Sequence, residues 1–189
     1  MTATTRLRRL ACATIFAFVC ASGAAFGANS IGKGPCLPGI NALLNGPDRQ
    51  VYEELFDILS QSAFALQTEL DMVVNQTTYQ SLLAFANSTA NSIPTGRLVI
   101  TLPDGTVVID TAKDDGLGAG QNSFANFQSK TINENHNTRN AIMSAQQYPC
   151  GIGAETKVST STGQNEIYAA VRLGEHLSSS GTARLSVVQ

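Results

Sequence analysis

The chain contains no tryptophan, only two histidines and few charged residues among its 189 positions. Charged residues make up 14% of the sequence, and the formal net charge is −2. Binding to nucleic acid needs clustered lysine and arginine, so this balance excludes a nucleic-acid partner. Apolar residues reach 43%, which is enough for a packed core and excludes extensive disorder. The length predicts one domain together with a processed segment.

Cysteine is also sparse, and two of its four copies lie close to the N-terminus. Cys12 and Cys20 fall in an uncharged run from Leu10 to Gly27, which follows three arginines and ends in small residues. This order is typical of a secretory signal peptide over residues 1–27. An uncleaved membrane anchor is the alternative, because the run is about as long as the shortest spanning helices. We therefore expect a periplasmic or secreted protein.

The two remaining cysteines each lie in a loop rich in proline and glycine, Cys36 in "GPCLPG" and Cys150 in "YPCGIG". In an oxidising compartment such a pair predicts a disulfide. Closing so long a loop would contribute roughly 3–5 kcal/mol. Two unpaired buried thiols are the alternative interpretation.

Hydrophobic periodicity changes along the chain. Residues 28–46 are rich in glycine and proline and predict a leader loop. Apolar residues then recur at spacings of three and four, which predicts a long helix over residues 48–92 with a break or kink near Asn75–Thr78. A helix of this length could project from the domain and pair with a second copy.

After Gly96 the period becomes two. The stretch "RLVITLPDGTVVIDT" predicts a hairpin, since proline, aspartate and glycine favour a tight turn. A helix from about Ser123 to Gln147 follows, then a second hairpin and a last strand in "GTARLSVV". The order predicts an α+β domain over residues 47–189. Its sheet and insert, over residues 96–189, have five mostly antiparallel strands with the helical insert between the second and third.

This layout resembles the extracytoplasmic PAS-like sensor modules known as Cache domains. The resemblance is carried by the long helix Asp48–Ala90, the "VITLPDGTVVIDT" hairpin, the helical insert and the three closing strands. It implies the strand order 2-1-5-4-3 and a ligand held between the sheet and the segment that joins strands two and three. It also implies a sensor-like module that binds a small organic ligand and passes any signal to a separate membrane protein.

The segment joining strands two and three contains "INENHNTRN". Arg139 lies one helical turn from His136, and its guanidinium could bind a carboxylate ligand with two hydrogen bonds. The alternative is an internal ion pair between Arg139 and Glu134, Glu155 or Asp110. The candidate ligand residues of this segment are Asn133, Asn135, His136 and Arg139.

Three further candidates lie on the predicted strands. Tyr168 and Arg172 alternate with aliphatic residues on the fourth strand, and Asp110 lies near the end of the second. If Tyr168 and Arg172 face the central helix, they line the pocket together with Asp110. If the aliphatic residues face it, the pocket is apolar and Tyr168 points to solvent.

Metal binding and catalysis are poorly supported by the sequence. Glu134 and His136 are two residues apart and so lie on different helix faces, and His176 is the other histidine. Cys150 could act as a nucleophile with His136, but pairing with Cys36 is favoured. We therefore predict a protein that is not an enzyme and needs no cofactor or metal. The alternative function is a structural or interaction protein that dimerises through its long helix and binds no ligand.

Overall fold

The computed structural model describes residues 39–111, 122–129, 140–158, 163–174 and 180–188. The helices are α1 (Ile40–Leu44), α2 (Arg49–Asp71), α3 (Gln76–Ala90), α4 (Phe124–Ser129) and α5 (Asn140–Gln147). The strands are β1 (Arg97–Thr101), β2 (Val107–Asp110), β3 (Ile152–Val158), β4 (Asn165–Arg172) and β5 (Thr182–Val188). Within these ranges, no helix has both the length and the apolar character that crossing a bilayer requires.

The predicted long helix is two helices, because a capping box at Asn75 starts a new one. The Asn75 side chain accepts a hydrogen bond from the Thr78 backbone N–H at 3.0 Å, and the Thr78 hydroxyl accepts one from the Asn75 N–H at 3.2 Å. These two bonds satisfy backbone donors at the first turn of α3. The predicted break near Asn75–Thr78 is thereby confirmed.

Part of the predicted leader loop is helical. Gly39 has a φ of 93°, and the chain enters α1 directly after it. Ile40, the first residue of α1, is buried in the core. The prediction of a loop over residues 28–46 was therefore wrong for residues 40–44, where a single buried isoleucine anchors a helix too short to show a periodic pattern.

The five strands form one antiparallel sheet in the order β2-β1-β5-β4-β3. The strand order implied by the resemblance is confirmed. The last strand, β5, is central and pairs with β1 and β4 along its length. The β1–β2 hairpin turns at Gly105, whose φ of 84° suits glycine, and Asp104 accepts a hydrogen bond from the Thr106 N–H at 2.9 Å.

One face of the sheet is covered by α2 and α3. The apolar stripe of α2 packs here, so this helix does not project from the domain. The residues that β1, β4 and β5 contribute to this core cluster are Leu98, Ile100, Ile167, Ala169, Val171, Ala183, Leu185 and Val187. Burial of apolar surface on this scale is the main stabilising contribution to such a fold.

The opposite side of the sheet, here called the polar face, carries Val99, Thr101, Tyr168, Ala170, Arg172, Thr182, Arg184 and Ser186. Helix α5 packs on part of it, through Ala141 and Ala145 against Tyr168 and Ala170. Gly153 on β3 allows this close approach, because a Cβ atom there would lie 1.8 Å from the backbone oxygen of Ala141. Small residues thus let the helix rest directly on β3 and β4.

Candidate functional site

The central strand β5 places buried polar side chains on the polar face. Thr182, Arg184 and Ser186 alternate with aliphatic residues and are 0%, 5% and 4% exposed. Neighbouring strands on both sides and cover above the sheet keep these side chains from water. A buried row of polar side chains that includes a guanidinium is uncommon in a sheet, so this face is the candidate binding site.

Arg184 is oriented by an aromatic ring. Its guanidinium carbon lies 4.9 Å from the ring centroid of Tyr168, a distance suited to a cation–π contact. The Tyr168 hydroxyl donates a hydrogen bond to the carboxylate of Glu166. Ser186 is the cross-strand neighbour of Tyr168, so a cation, an aromatic ring and a hydroxyl meet at one place on this face.

Asp110 lies at the edge of the same face and is bound by Arg97. The Arg97 Nε and Nη2 atoms lie 2.9 and 2.5 Å from the two carboxylate oxygens, which is a two-pronged ion pair. The side-chain amide of Asn122 bonds to the Asp110 peptide, accepting from its N–H at 3.1 Å and donating to its carbonyl at 2.5 Å. Asp110 therefore joins β1, β2 and the chain leading into α4.

Arg172 faces the same side but binds backbone carbonyl groups. Its guanidinium donates to the oxygens of Ala145, Tyr148, Pro149 and Gly174 at 3.2, 3.1, 3.5 and 3.1 Å. Burial lowers the pKa of this guanidinium from its ordinary value. The contacts hold the C-terminal end of α5, where helix carbonyls otherwise lack partners.

The two arrangements left open for β4 are now distinguished. Tyr168 and Arg172 face α5, whereas Ile167, Ala169 and Val171 face the core under α2. The structure thus brings Tyr168 and Arg172 to one face with Asp110. The remaining predicted ligand residues, Asn133, Asn135, His136 and Arg139, lie outside the described residues, and so does Cys36. Cys150 is completely buried next to α5.

Arg184 was not predicted as a site residue. Its signal is the alternation in "TARLSV", where threonine, arginine and serine occupy every second position. In an antiparallel sheet this pattern commonly indicates one solvated face, and whether that face is instead buried depends on where the strand lies and on what packs over it. The central place of β5 follows only from the strand order, so the pattern alone was insufficient.

Within the described ranges, metal ligands and surface hollows define the other classes of candidate site. These residues contain no group of three or more histidine, cysteine, aspartate or glutamate side chains that could hold a metal ion. Two surface hollows of about 430 and 370 Å³ flank α1, between α1 and α2 and between α1 and β3. Their lining residues do not include those of the polar face.

Comparison with known proteins gave only structural neighbours. No protein-family model and no curated protein matches the chain. Three solved structures of ligand-binding or sensory domains of the Campylobacter jejuni chemoreceptor Tlp3 match, in complex with 4-methylisoleucine, isoleucine and L-valine. Their identities to this chain are 13, 11 and 12%, with TM-scores of 0.44, 0.43 and 0.44.

The matches cover 79 to 80% of this chain, and the chain spans 64% of the length of those domains. At these TM-scores the neighbours add no argument about a ligand, and the fold is assigned from the chain itself. The sheet order β2-β1-β5-β4-β3, with two long helices on one face and an inserted segment after β2, is α+β as predicted. The chain therefore has the PAS-like fold that the resemblance implied.

Proposed function

We propose that the chain is an extracytoplasmic small-molecule-binding module that recognises an organic anion at the polar face and catalyses no reaction. The observation that carries this proposal is the burial of Arg184 on the central strand, beside Tyr168 and Ser186. A guanidinium in this setting suits a carboxylate, because planar two-pronged hydrogen bonding gains strength where water is excluded.

The remaining candidates divide by what they contact. Asp110 and Arg172 bind Arg97 and backbone carbonyl groups, so we assign them a positioning role at the rim of the site. Tyr168 orients Arg184 and remains a candidate ligand contact. We propose that Asn133, Asn135, His136 and Arg139 complete the site, because the resemblance implies a ligand held between the sheet and the segment that contains these residues.

A thermal-shift screen against small organic acids and amines tests the proposal. We expect one or more acids to raise the Tm of the wild type by several degrees, since a ligand that binds only the folded state stabilises it. Arg184→Gln should abolish that shift, and Arg139→Ala should reduce it. Arg49→Gln is the matched control, because Arg49 is exposed on α2 and its guanidinium pairs with Glu53 of the same helix. A full library without any stabilising acid would contradict the proposal.

A second candidate function is protein–protein interaction through the outer side of the helical layer. Phe64, Met72 and Val74 are 59, 48 and 73% exposed at the end of α2 and the turn after it. The stripe of α2 that faces the sheet is unavailable to a partner, so dimerisation through this layer would use its outer side, where these residues lie. Sedimentation of the wild type and of Phe64→Ser tests this. A concentration-dependent dimer that the substitution weakens supports it, and a monomer throughout rejects it.

We further propose that the protein is exported and that Cys36 and Cys150 form a disulfide. Support comes from Cys150, which is completely buried beside the C-terminal end of α5. Peptide mapping of the protein from an oxidising compartment, with and without reductant, should find the two cysteine-containing peptides joined. Free thiols at both positions would rule out the pairing, and a mature N-terminus within residues 1–27 would argue against cleavage there.

A further inference from the structure

The outer side of strand β3 is an open sheet edge. This strand is the last of the sheet, and within the described part of the chain no strand pairs with its outer side. Gly151 directs its carbonyl inward, because its oxygen accepts a hydrogen bond from the Arg172 N–H of β4. Ile152 directs its carbonyl outward, where the Ser144 hydroxyl donates to it at 2.9 Å. Since these directions alternate along an antiparallel strand, the even-numbered residues of β3 present their backbone groups to the outside.

Most of this edge is uncovered. Ser144 bonds only the first outward carbonyl, and the following outward residues are Ala154, Thr156 and Val158. None of the described residues bonds to their outward backbone groups. Val158 also has an exposed apolar side chain, at 57%. Tyr52 holds the middle of the strand, since its hydroxyl lies 2.8 Å from the Thr156 Oγ1 atom. An open edge on a fixed strand is a template for the addition of another strand.

The charges on this edge strand are complementary to themselves. Glu155 and Lys157 lie on either side of Thr156, and both side chains are on the polar-face side of the sheet. Neither side chain forms an ion pair or a hydrogen bond within the described ranges. When a second copy pairs antiparallel about Thr156, Glu155 of each copy lies opposite Lys157 of the other. Outward residues then meet outward residues, as the hydrogen bonding of an antiparallel pair requires.

Charge selects this register over its neighbours. Moving the centre of pairing by one residue puts Glu155 opposite Glu155, or Lys157 opposite Lys157. Like charges directly opposite each other destabilise a strand pair, whereas opposite charges stabilise it. In the register centred on Thr156, both Glu–Lys pairs occupy positions without backbone hydrogen bonds, where side chains on neighbouring strands lie closest.

The same register brings an exposed side chain of one copy to a surface hollow of the other. Val158 of the second copy lies opposite Ala154, on the side of the sheet that α2 covers. Beside Ala154 is the hollow of about 370 Å³ between α1 and β3, which Ile40 and Leu43 also line. The valine side chain fits this hollow and removes apolar surface of both copies from water. The contact is made twice, because the pairing has a two-fold axis.

From these features we infer that two copies of the chain pair through β3, antiparallel and centred on Thr156, and join two five-stranded sheets into one. The two-fold axis is perpendicular to the sheet, so the polar faces of both copies lie on the same side of it. The interface uses one strand and one short helix of each copy, which is small for a permanent dimer, so the pairing is reversible. It is separate from the outer side of the helical layer and does not depend on the proposed function.

Charge reversal at the edge tests the inference in solution. Sedimentation of the wild type should show a monomer–dimer equilibrium. Glu155→Lys and Lys157→Glu should each weaken the dimer by about tenfold or more, because either change turns both attractive pairs into repulsive ones. Glu54→Lys is the matched control, since Glu54 is exposed on α2 and the change in net charge equals that of Glu155→Lys. The control should dimerise as the wild type does.

Two combinations restore the complementarity. The double variant Glu155→Lys/Lys157→Glu exchanges the two charges and should recover most of the lost affinity. An equimolar mixture of the two single variants should form a heterodimer at least about tenfold tighter than either homodimer, because one copy then carries two lysines and the other two glutamates. The double variant keeps the test decisive if a single variant does not fold.

Residue-resolved amide exchange detects the strand pairing itself. Raising the protein concentration through the range of dimerisation should slow exchange of the outward N–H groups of Ala154, Thr156 and Val158. The N–H groups of Glu155 and Lys157 point to β4 and should change much less.

Three results would overturn the inference. The first is a wild type that remains monomeric up to about 1 mM. The second is a dimer that Phe64→Ser weakens and that both charge reversals leave intact, which assigns the interface to the helical layer. The third is a dimer that neither the double variant nor the mixture restores, which rules out the register centred on Thr156.

Discussion

Arg172 shows how one side chain fixes a helix on the sheet. It donates to backbone oxygens of Ala145, Tyr148, Pro149 and Gly174. We predict that Arg172→Met lowers the free energy of unfolding by about 3 kcal/mol, because one buried and three partly buried carbonyl groups lose a charged donor. Urea denaturation measures this change. Arg49→Met, on the exposed side of α2, should change it by less than about 0.5 kcal/mol. Equal losses in the two variants would contradict the positioning role.

Tyr79 makes stability depend on alkaline pH. It is completely buried between α3 and the sheet, and burial raises its pKa from 10.0 to about 12. A folded-state pKa above the unfolded value favours the protonated folded form. The stabilisation is therefore complete below pH 10 and is lost as the pH rises towards 12, by about 2–3 kcal/mol.

Denaturation at a series of alkaline pH values measures this loss. Tyr79→Phe removes the ionisable hydroxyl and should make the profile shallower. Part of the dependence should persist through Tyr52, whose pKa burial also raises. Identical profiles for the wild type and Tyr79→Phe would show that Tyr79 does not ionise on unfolding.

At the residue scale, side-chain orientation and burial could not be predicted from the sequence where they depend on packing between strands. Tyr168 and Arg172 were identifiable as one side of a strand, but which side faced the central helix depended on packing. Arg184 was not identifiable as a site residue, because its burial follows from the position of β5 in the sheet. Long-range pairing, which the alternation within one strand does not encode, decides both questions.

Helix α5 and strand β3 are joined by a contact that leaves no room for a side chain. A Cβ atom on Gly153 would lie 1.8 Å from the backbone oxygen of Ala141. We predict that Gly153→Ala displaces α5 and lowers the free energy of unfolding by about 2–3 kcal/mol. Lys157→Ala, on the same strand, should change it by less than about 0.5 kcal/mol. Denaturant titration of both variants measures these free energies of unfolding. No change for Gly153→Ala would show that α5 is loosely held.

Elements with strong local signals were predictable. The β1–β2 hairpin follows from its turn residues, and the break between α2 and α3 follows from the polar "NQTT" stretch. Helix α1 was missed because its five residues are too few to show a helical period. The predicted helix over residues 123–147 corresponds to α4 and α5 at its two ends, and residues 130–139 between them lie outside the described part of the chain.

The sheet as a whole is organised around its last strand. Because β5 pairs with β1 and β4, it forms only after nearly the entire domain is present. We predict that native-state amide exchange of hydrogen-bonded β5 amides is at least about tenfold slower than that of the edge strands β2 and β3. Mass spectrometry of exchanged peptides measures this difference. Exchange at equal rates in all five strands would indicate opening only by global unfolding.

Because the sheet depends on pairing between distant strands, only part of the whole molecule could be predicted from the sequence. The order of helices and strands along the chain could be predicted. The order of the strands within the sheet came from the resemblance, which rests on that chain order. The polar face as a site could not be predicted, since it is made of alternate residues from β1, β4 and β5 that are far apart in the chain. Its recognition required the register of three strands.

The side-chain amide of Asn122 protects one end of the edge strand β2. By bonding both the N–H and the carbonyl of Asp110, it occupies the peptide groups that an added strand would use. A single side chain thus imitates the main chain of a neighbour. Open edges invite pairing between molecules, which leads to aggregation. At Asp110 one asparagine side chain therefore blocks the pairing of a further strand.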